Sequence, residues 1–172
     1  LKGIQSLYSH YSNIPIHTLQ DNAIYASEIF LRALENEQAA LLTYQDLTKY
    51  MSILIIERIE TVFSGWQNNF KLLNPNHSIL DNNHSYRNIL LQRIIIGQGL
   101  GELFHFSKNT PLLWEPLHNN IYNMIVKSKT LPLEAKNSLL ENKTLKKDFI
   151  MTSNLDNSAL LGAGISAALN SL

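Results

Sequence analysis

The sequence predicts an α/β domain with a mixed sheet flanked by helices, spanning residues 1–172 as a single domain. Three observations carry this prediction: apolar residues at helical spacing, isoleucine-rich segments between the helical ones, and a glycine-containing turn directly after the most apolar segment. A chain of 172 residues with 45% apolar residues is also long enough to bury one hydrophobic core. We therefore expect one sheet covered by helices.

The first part of the chain predicts a helix, a strand and a second helix. Apolar residues at three- and four-residue spacing favour a helix over residues 1–11, and residues 14–19 are short and β-branched with Pro15 near the start, as in an edge strand. Asp21 then precedes a run of apolar residues at helical spacing, which predicts a helix over residues 23–42.

The middle of the chain predicts a three-stranded meander followed by a loop. Residues 50–57 and 61–66 are rich in β-branched residues and are separated by a charged connection. Asparagines 68 and 69 favour a hairpin turn into a return strand over residues 70–73, since asparagine accepts the left-handed backbone of such turns. The polar stretch over residues 74–88 is typical of a loop.

The last part of the chain predicts two further strands and three helices. Residues 91–96 are apolar without alternation, which is typical of a strand covered on both faces, and they end in a glycine-containing turn that leads into a helix. Thr110 and Pro111 favour the start of a helix over residues 110–126. A shorter helix over residues 132–141, a strand over residues 149–152 and a helix over residues 159–172 complete the predicted order.

Charge and composition exclude several classes of protein. The 14 basic and 14 acidic side chains give a formal charge of zero, so no overall field draws the chain to nucleic acid or to an anionic membrane. The absence of cysteine excludes disulfides and thiolate zinc sites. No apolar run approaches the roughly 20 residues of a membrane helix. We expect a cytoplasmic chain with no membrane partner, metal or cofactor, and its start at Leu1 suggests a piece of a longer protein.

Four strings of residues, in this order, resemble the ROK family of repressors and sugar kinases. Residues 14–23 resemble its strand-to-helix junction, and residues 53–84 resemble its glycine-rich hairpin and sugar loop. Residues 93–100 look like the glycine turn after the penultimate strand, and residues 153–164 look like the closing Leu-Gly-Asp-Asp-Ala segment. The resemblance implies an actin/hexokinase-like (ribonuclease H-like) fold of which only the second lobe is present, without the upstream lobe or a helix-turn-helix.

The resemblance also implies a ligand site. Asp21 falls at the position of the family's catalytic base, and the implied sugar-binding residues are Gln20, Asp21, Asn76, Asp81 and His84. Gly97 and Gly99 correspond to a remnant of the nucleotide site. Taken from the residues alone, Asp21 could instead cap a helix, the Asp81–His84 pair could belong to a solvated loop, and the glycines could serve a tight turn.

The departures from the family pattern point away from catalysis. Residues 58–64 contain no glycine where the kinases carry a glycine-rich phosphate hairpin, and the charge of Glu60 would repel phosphate, so we expect no ATP binding. We expect a homo-oligomeric sugar-sensing and dimerisation domain of a ROK-type repressor, which is not an enzyme and reaches DNA only through an upstream domain. Its ligand would be a sugar or sugar phosphate. The alternatives are a fragment of a carbohydrate kinase and a degenerate domain that only mediates association.

Overall fold

The computed structural model describes residues 2–65 and 83–153. These residues form a helix-rich fold with small sheets, which agrees with the α/β class at this level of detail. The expected single mixed sheet is not found among them, because the described strands form two separate two-stranded sheets. The helices are α1 (Lys2–Ser12), α2 (Ile16–Asp21), α3 (Ala26–Leu34), α4 (Gln38–Ser64), α5 (Gln98–Phe106), α6 (Trp114–Lys127) and α7 (Leu133–Leu139). The strands are β1 (Ile94–Ile96), β2 (Leu140–Glu141), β3 (Thr144–Leu145) and β4 (Ile150–Thr152).

The long helix α4 forms the centre of the packing. Helices α1 and α3 pack against it, and α6 packs against it from the later part of the chain. The Tyr44 hydroxyl of α4 donates a buried hydrogen bond of 2.6 Å to the carbonyl of Ala26 at the start of α3. Near the other end of α4, the buried Glu60 carboxylate accepts a hydrogen bond of 2.5 Å from Ser128, just after α6. The contact of Ser128 with Glu60, together with the packing of α6 on α4, joins the two parts of the described chain.

The predicted strand over residues 14–19 is wrong, because most of this segment belongs to helix α2. Pro15 stands immediately before α2, and its carbonyl accepts a hydrogen bond of 3.2 Å from the amide of Leu19. This helical turn buries Leu19 completely while Ile16 stays exposed. A buried leucine anchor therefore outweighs the preference of the β-branched residues for a strand.

The predicted helix over residues 23–42 is two helices. Helix α3 ends at Leu34 and α4 begins at Gln38, and between them Asn36 has a φ of 66°. A left-handed residue breaks the helix, and asparagine tolerates that conformation better than most residues. The capping interpretation of Asp21 is also wrong, since Tyr25 occupies the N-cap position of α3 and the helix has no side-chain cap.

The predicted strands over residues 50–57 and 61–66 are wrong through residue 64, where the chain is helix α4. The buried positions Ile55, Ile56, Ile59 and Phe63 follow the three- and four-residue spacing of one helix face. The glycine-free segment over residues 58–64 is consequently the end of a helix and not a hairpin. The predicted turn at residues 68–69, the return strand over residues 70–73 and the loop up to residue 82 lie outside the described residues.

Four of the elements predicted after residue 90 are confirmed with shifted boundaries, whereas helix α5 as a separate element and the antiparallel pair of β2 and β3 were not predicted. Strand β1 occupies the end of the predicted strand, α6 begins at Trp114 rather than Thr110, the predicted helix over residues 132–141 is α7 followed by β2, and β4 occupies the last predicted strand. Strands β1 and β4 pair in parallel, with Ile94 opposite Ile150. The predicted helix over residues 159–172 lies outside the described residues.

Strand β1 is less covered than its sequence predicts. Ile95 at its centre is 64% exposed, whereas Ile96 is buried. The expectation that both faces of this strand are covered is therefore not met within residues 2–65 and 83–153. Across the same residues, none of the helices has the length and apolar character needed to cross a bilayer.

Candidate functional site

The predicted site residues fall in different parts of the structure. Gln20 and Asp21 form the C-terminal end of α2, and both are exposed. His84 precedes a turn that leads towards β1. Gly97 and Gly99 lie at the start of α5. Asn76 and Asp81 lie outside the described residues.

The glycine turn connects the parallel strand pair to α5. Gly97 is the N-cap residue of α5 in an extended conformation, and its carbonyl accepts a hydrogen bond of 3.0 Å from the amide of Gly101. The amide of Ser153, just after β4, donates a hydrogen bond of 2.8 Å to the carbonyl of Ile96. The carboxyl ends of β1 and β4 therefore meet beside the first turn of α5, which is the edge at which α/β proteins gather ligands.

Close packing explains the glycine at position 101. A Cβ atom there would lie 2.6 Å from the carbonyl oxygen of Ile96 and 2.9 Å from that of Ser153. Both distances are far below van der Waals contact, and both neighbours are backbone atoms that cannot rotate away. Gly101 thus allows α5 to lie directly against the ends of the two strands, as the tight-turn interpretation expects.

A cavity of about 630 Å³, here called the α5 cavity, lies between the N-terminal helices and α5. It joins two of the predicted site residues, Gln20 and Gly99, which are far apart in the sequence. Asp21, His84 and Gly97 do not line it. Its lining consists of Lys2, Gln5, Gln20, Tyr25, Ala26, Ser27, Gly99, Glu102, Leu103 and Phe106.

The α5 cavity combines polar groups with exposed rings. Lys2 and Glu102 carry opposite charges, and neither forms an ion pair with a described residue. Tyr25 is more than half exposed, and Phe106 is 70% exposed. A pocket of this volume with a few polar groups on an apolar lining is typical of a small-molecule site.

The wall of the α5 cavity is fixed by a buried amide. Gln5 of α1 is buried, and its side-chain Nε2 donates a hydrogen bond of 2.9 Å to the carbonyl of Ile24. This contact holds the segment between α2 and α3 against α1. The position of Tyr25 at the end of this segment, and that of Ser27 in the first turn of α3, depend on it.

His84 is placed by contacts outside the α5 cavity. Its Nδ1 accepts a hydrogen bond of 3.1 Å from the amide of Tyr86, and its Nε2 is buried with no hydrogen-bond partner among the described residues. The amide of Asn88 donates a hydrogen bond of 2.8 Å to the carbonyl of Phe63, and this bond connects the turn to the end of α4. A pairing of His84 with Asp81 stays a prediction.

Sequence reasoning missed most of the lining of the α5 cavity. The missed residues come from α1, from the start of α3 and from α5, and no spacing within the sequence links them. They are Lys2, Tyr25, Ser27, Glu102 and Phe106. Among residues 2–65 and 83–153, no group of three or more histidine, aspartate or glutamate side chains could hold a metal ion. Comparison with family models, with curated proteins and with solved structures finds no match to this chain.

Proposed function

We propose that the chain is the sugar-sensing and dimerisation lobe of a ROK-type transcriptional repressor, without kinase activity, and that its ligand is a sugar or sugar phosphate bound in the α5 cavity. One observation carries this proposal. Gln20 and Gly99 come from two separate strings of the family resemblance, yet they line the same cavity. A shared ligand site requires that these two positions lie close together.

The fold of such a lobe is the actin/hexokinase-like one, and part of the described topology supports it. β1 and β4 are parallel neighbours, and the chain between them passes through α5, α6 and α7. Parallel neighbouring strands need a crossover of this kind, usually through helices. The glycine turn lies at the carboxyl end of β1, where that fold binds its ligands.

The chemistry of the α5 cavity suits a pyranose. The Gln20 amide, the Ser27 hydroxyl and the Glu102 carboxylate can bond to sugar hydroxyls, which both donate and accept hydrogen bonds. The rings of Tyr25 and Phe106 offer apolar faces to the C–H side of the sugar. The phosphate group of a sugar phosphate would pair with the ammonium group of Lys2.

Exposed apolar residues on α4 support the dimerisation part of the proposal. Leu54 is 66% exposed and Tyr50 is half exposed, and their spacing of four residues places them on one helix face. Exposed apolar patches of this kind mark association surfaces. We expect a dimer in sedimentation velocity, and Leu54→Lys should shift it to monomer. DNA binding belongs to an upstream domain, and a cytoplasmic location fits the cysteine-free sequence.

The test of ligand binding is a calorimetric panel of hexoses, amino sugars and their phosphates. We expect one of them to bind, and Phe106→Ala to weaken that binding about fivefold through the lost ring contact. Leu133→Ala is the matched control, because Leu133 is equally exposed at 72% but does not line the cavity. Absence of binding by every ligand would favour the association-only domain, and micromolar binding of Mg-ATP would favour the kinase fragment.

A further inference from the structure

A second cavity, of about 320 Å³, lies where the start of α6 meets the chain from β3 to β4. Its lining includes three lysines, Lys108, Lys146 and Lys147, together with Trp114 and His118. We call it the lysine cavity. Among the described residues, the two cavities share none of their lining, so the role of the lysine cavity is separate from that of the proposed sugar site.

The lysine cavity concentrates positive charge in a chain with a formal charge of zero. All three lysines are exposed, and none forms an ion pair within residues 2–65 and 83–153. Asp148 is the one acidic side chain in the lining and offsets one of the three positive charges. A net positive cavity of this kind lowers the free energy of a bound anion.

The aromatic side of the lysine cavity is built from Lys108, Trp114 and His118. The Nζ atom of Lys108 lies 4.7 Å from the centroid of the Trp114 ring, and the rings of Trp114 and His118 are 4.5 Å apart. These contacts fix the imidazole in place. They also leave Lys108 close enough to His118 for the two groups to interact electrostatically.

The imidazole of His118 adds no positive charge to the lysine cavity. Its Nε2 is buried and has no hydrogen-bond partner among the described residues, so this atom does not face the open part of the cavity. Burial, and then the charge of Lys108, lower the pKa of His118, which keeps the ring neutral near pH 7. The positive charge of the cavity therefore comes from the three lysines.

We propose that the lysine cavity binds the phosphate group of a small molecule, held by Lys108, Lys146 and Lys147 beside the neutral ring of His118. Phosphate oxygens carry negative charge near pH 7 and accept charge-assisted hydrogen bonds from ammonium groups. The volume accommodates a phosphomonoester of few atoms or inorganic phosphate. A nucleic-acid backbone is the less favoured occupant, because the charge lies in one small cavity rather than along a face.

The test is isothermal titration calorimetry with inorganic phosphate and with glycerol phosphate at constant ionic strength. We expect saturable binding of at least one probe, and tighter binding of glycerol phosphate would identify an ester as the ligand. The double variant Lys146→Ala/Lys147→Ala should bind about tenfold more weakly through the loss of two charge-assisted contacts. Its matched control is Lys127→Ala/Lys129→Ala, which removes two exposed lysines that do not line the cavity.

A second variant tests whether the charge of the lysines carries the binding. His118→Phe keeps a ring beside Trp114 and removes no charge, so phosphate binding should stay within about twofold of that of the unmodified chain. If phosphate binding weakens equally in both lysine double variants, the effect comes from the net charge of the chain and not from the lysine cavity, and the proposal is overturned. Absence of saturable binding by both probes would also overturn it, as would binding of a short RNA under conditions in which neither probe binds.

Discussion

Helix α4 and strand β1 each contain a short apolar run rich in isoleucine, and the two runs fold differently. Residues 53–56 form a turn in the middle of α4, where Ile55 and Ile56 are buried and Leu54 is exposed. Residues 94–96 form β1, where Ile96 is buried and Ile95 between the two other isoleucines is exposed. Nearly the same apolar composition therefore gives a helix in one place and a strand in the other.

The difference lies in what stands on either side of each run. Within α4, buried residues continue at helical spacing in both directions, with Thr48 and Ser52 before the run and Ile59 and Phe63 after it. The run in β1 stops at Gly97, where the chain turns into α5, and it has a parallel partner in β4. A short apolar run does not determine its own secondary structure. The hydrophobic periodicity of the flanking residues and the turn residues that end the run determine it.

The largest expected effect tests the helical face of α4. Ile59→Ala should lower the free energy of unfolding by about 3 kcal/mol, because Ile59 is almost completely buried and the surrounding core cannot collapse fully into the cavity left behind. Arg58→Ala, one residue away on the exposed side, should change it by less than about 0.5 kcal/mol. Urea unfolding of both variants measures the contrast, and similar losses at the two positions would contradict the helical face.

The next largest effect tests the glycine-containing turn between β1 and α5. Gly101→Ala should cost about 2 kcal/mol, since the added Cβ lies within 3 Å of two backbone carbonyl oxygens. Gly3→Ala is the matched control, because nothing lies within 4 Å of a Cβ at position 3 of helix α1. That variant should be stabilised by up to about 1 kcal/mol through helix propensity. Thermal unfolding of the two variants checks the prediction. An unchanged free energy of unfolding in Gly101→Ala would contradict the close approach of α5 to the strands.

A smaller effect concerns the contact between α4 and α3. Tyr44→Phe removes the hydroxyl that donates to the buried carbonyl of Ala26, and it should cost about 1 kcal/mol. A Tyr44→Phe variant with full stability would show that the carbonyl of Ala26 finds another donor. Guanidinium unfolding at pH 7 measures the difference.

The same tyrosine predicts a pH dependence at alkaline pH. Burial raises the pKa of Tyr44 well above its ordinary value of about 10. The folded state therefore keeps the proton that the unfolded state releases, so the stability from this group is present below pH 10 and is lost as the pH rises above it. Urea unfolding from pH 8 to pH 11 should show a smaller decline for Tyr44→Phe than for the unmodified chain, and equal declines would contradict this role.

The smallest expected effect belongs to the exposed isoleucine of β1. Ile95→Thr keeps a β-branched side chain on an exposed strand position and should change the free energy of unfolding by less than about 0.5 kcal/mol. A loss of about 2 kcal/mol would mean that Ile95 is covered in the folded chain. Thermal unfolding of this variant beside Ile59→Ala compares the two runs directly.

The sequence allowed some elements to be predicted and not others, for physical reasons. Strands β1 and β4 and helices α6 and α7 were predictable because Pro132 and the short apolar runs mark where these elements lie, whereas α5 and the short pair of β2 and β3 were not predicted. Helix α4 was missed because β-branched residues favour strands, although Ile55, Ile59 and Phe63 already carried the helical period.

The candidate site was predictable only in part. Gln20 and Gly99 were found through the family resemblance, whereas Lys2 and Glu102 reach the same cavity through tertiary packing of α1 and α5. The resemblance gave no reason to expect Asp21 outside the cavity lining, since it assumed that a strand and not α2 leads to this residue.

The most direct test of the sugar site compares two neighbouring residues of α2. Gln20 lines the α5 cavity and Asp21 does not, although both are exposed and both were predicted to bind the ligand. The affinity of the best sugar from the panel should fall about fivefold in Gln20→Ala through the loss of a hydrogen bond. It should stay unchanged in Asp21→Ala. Lost binding in Asp21→Ala with intact binding in Gln20→Ala would contradict the α5 cavity as the sugar site.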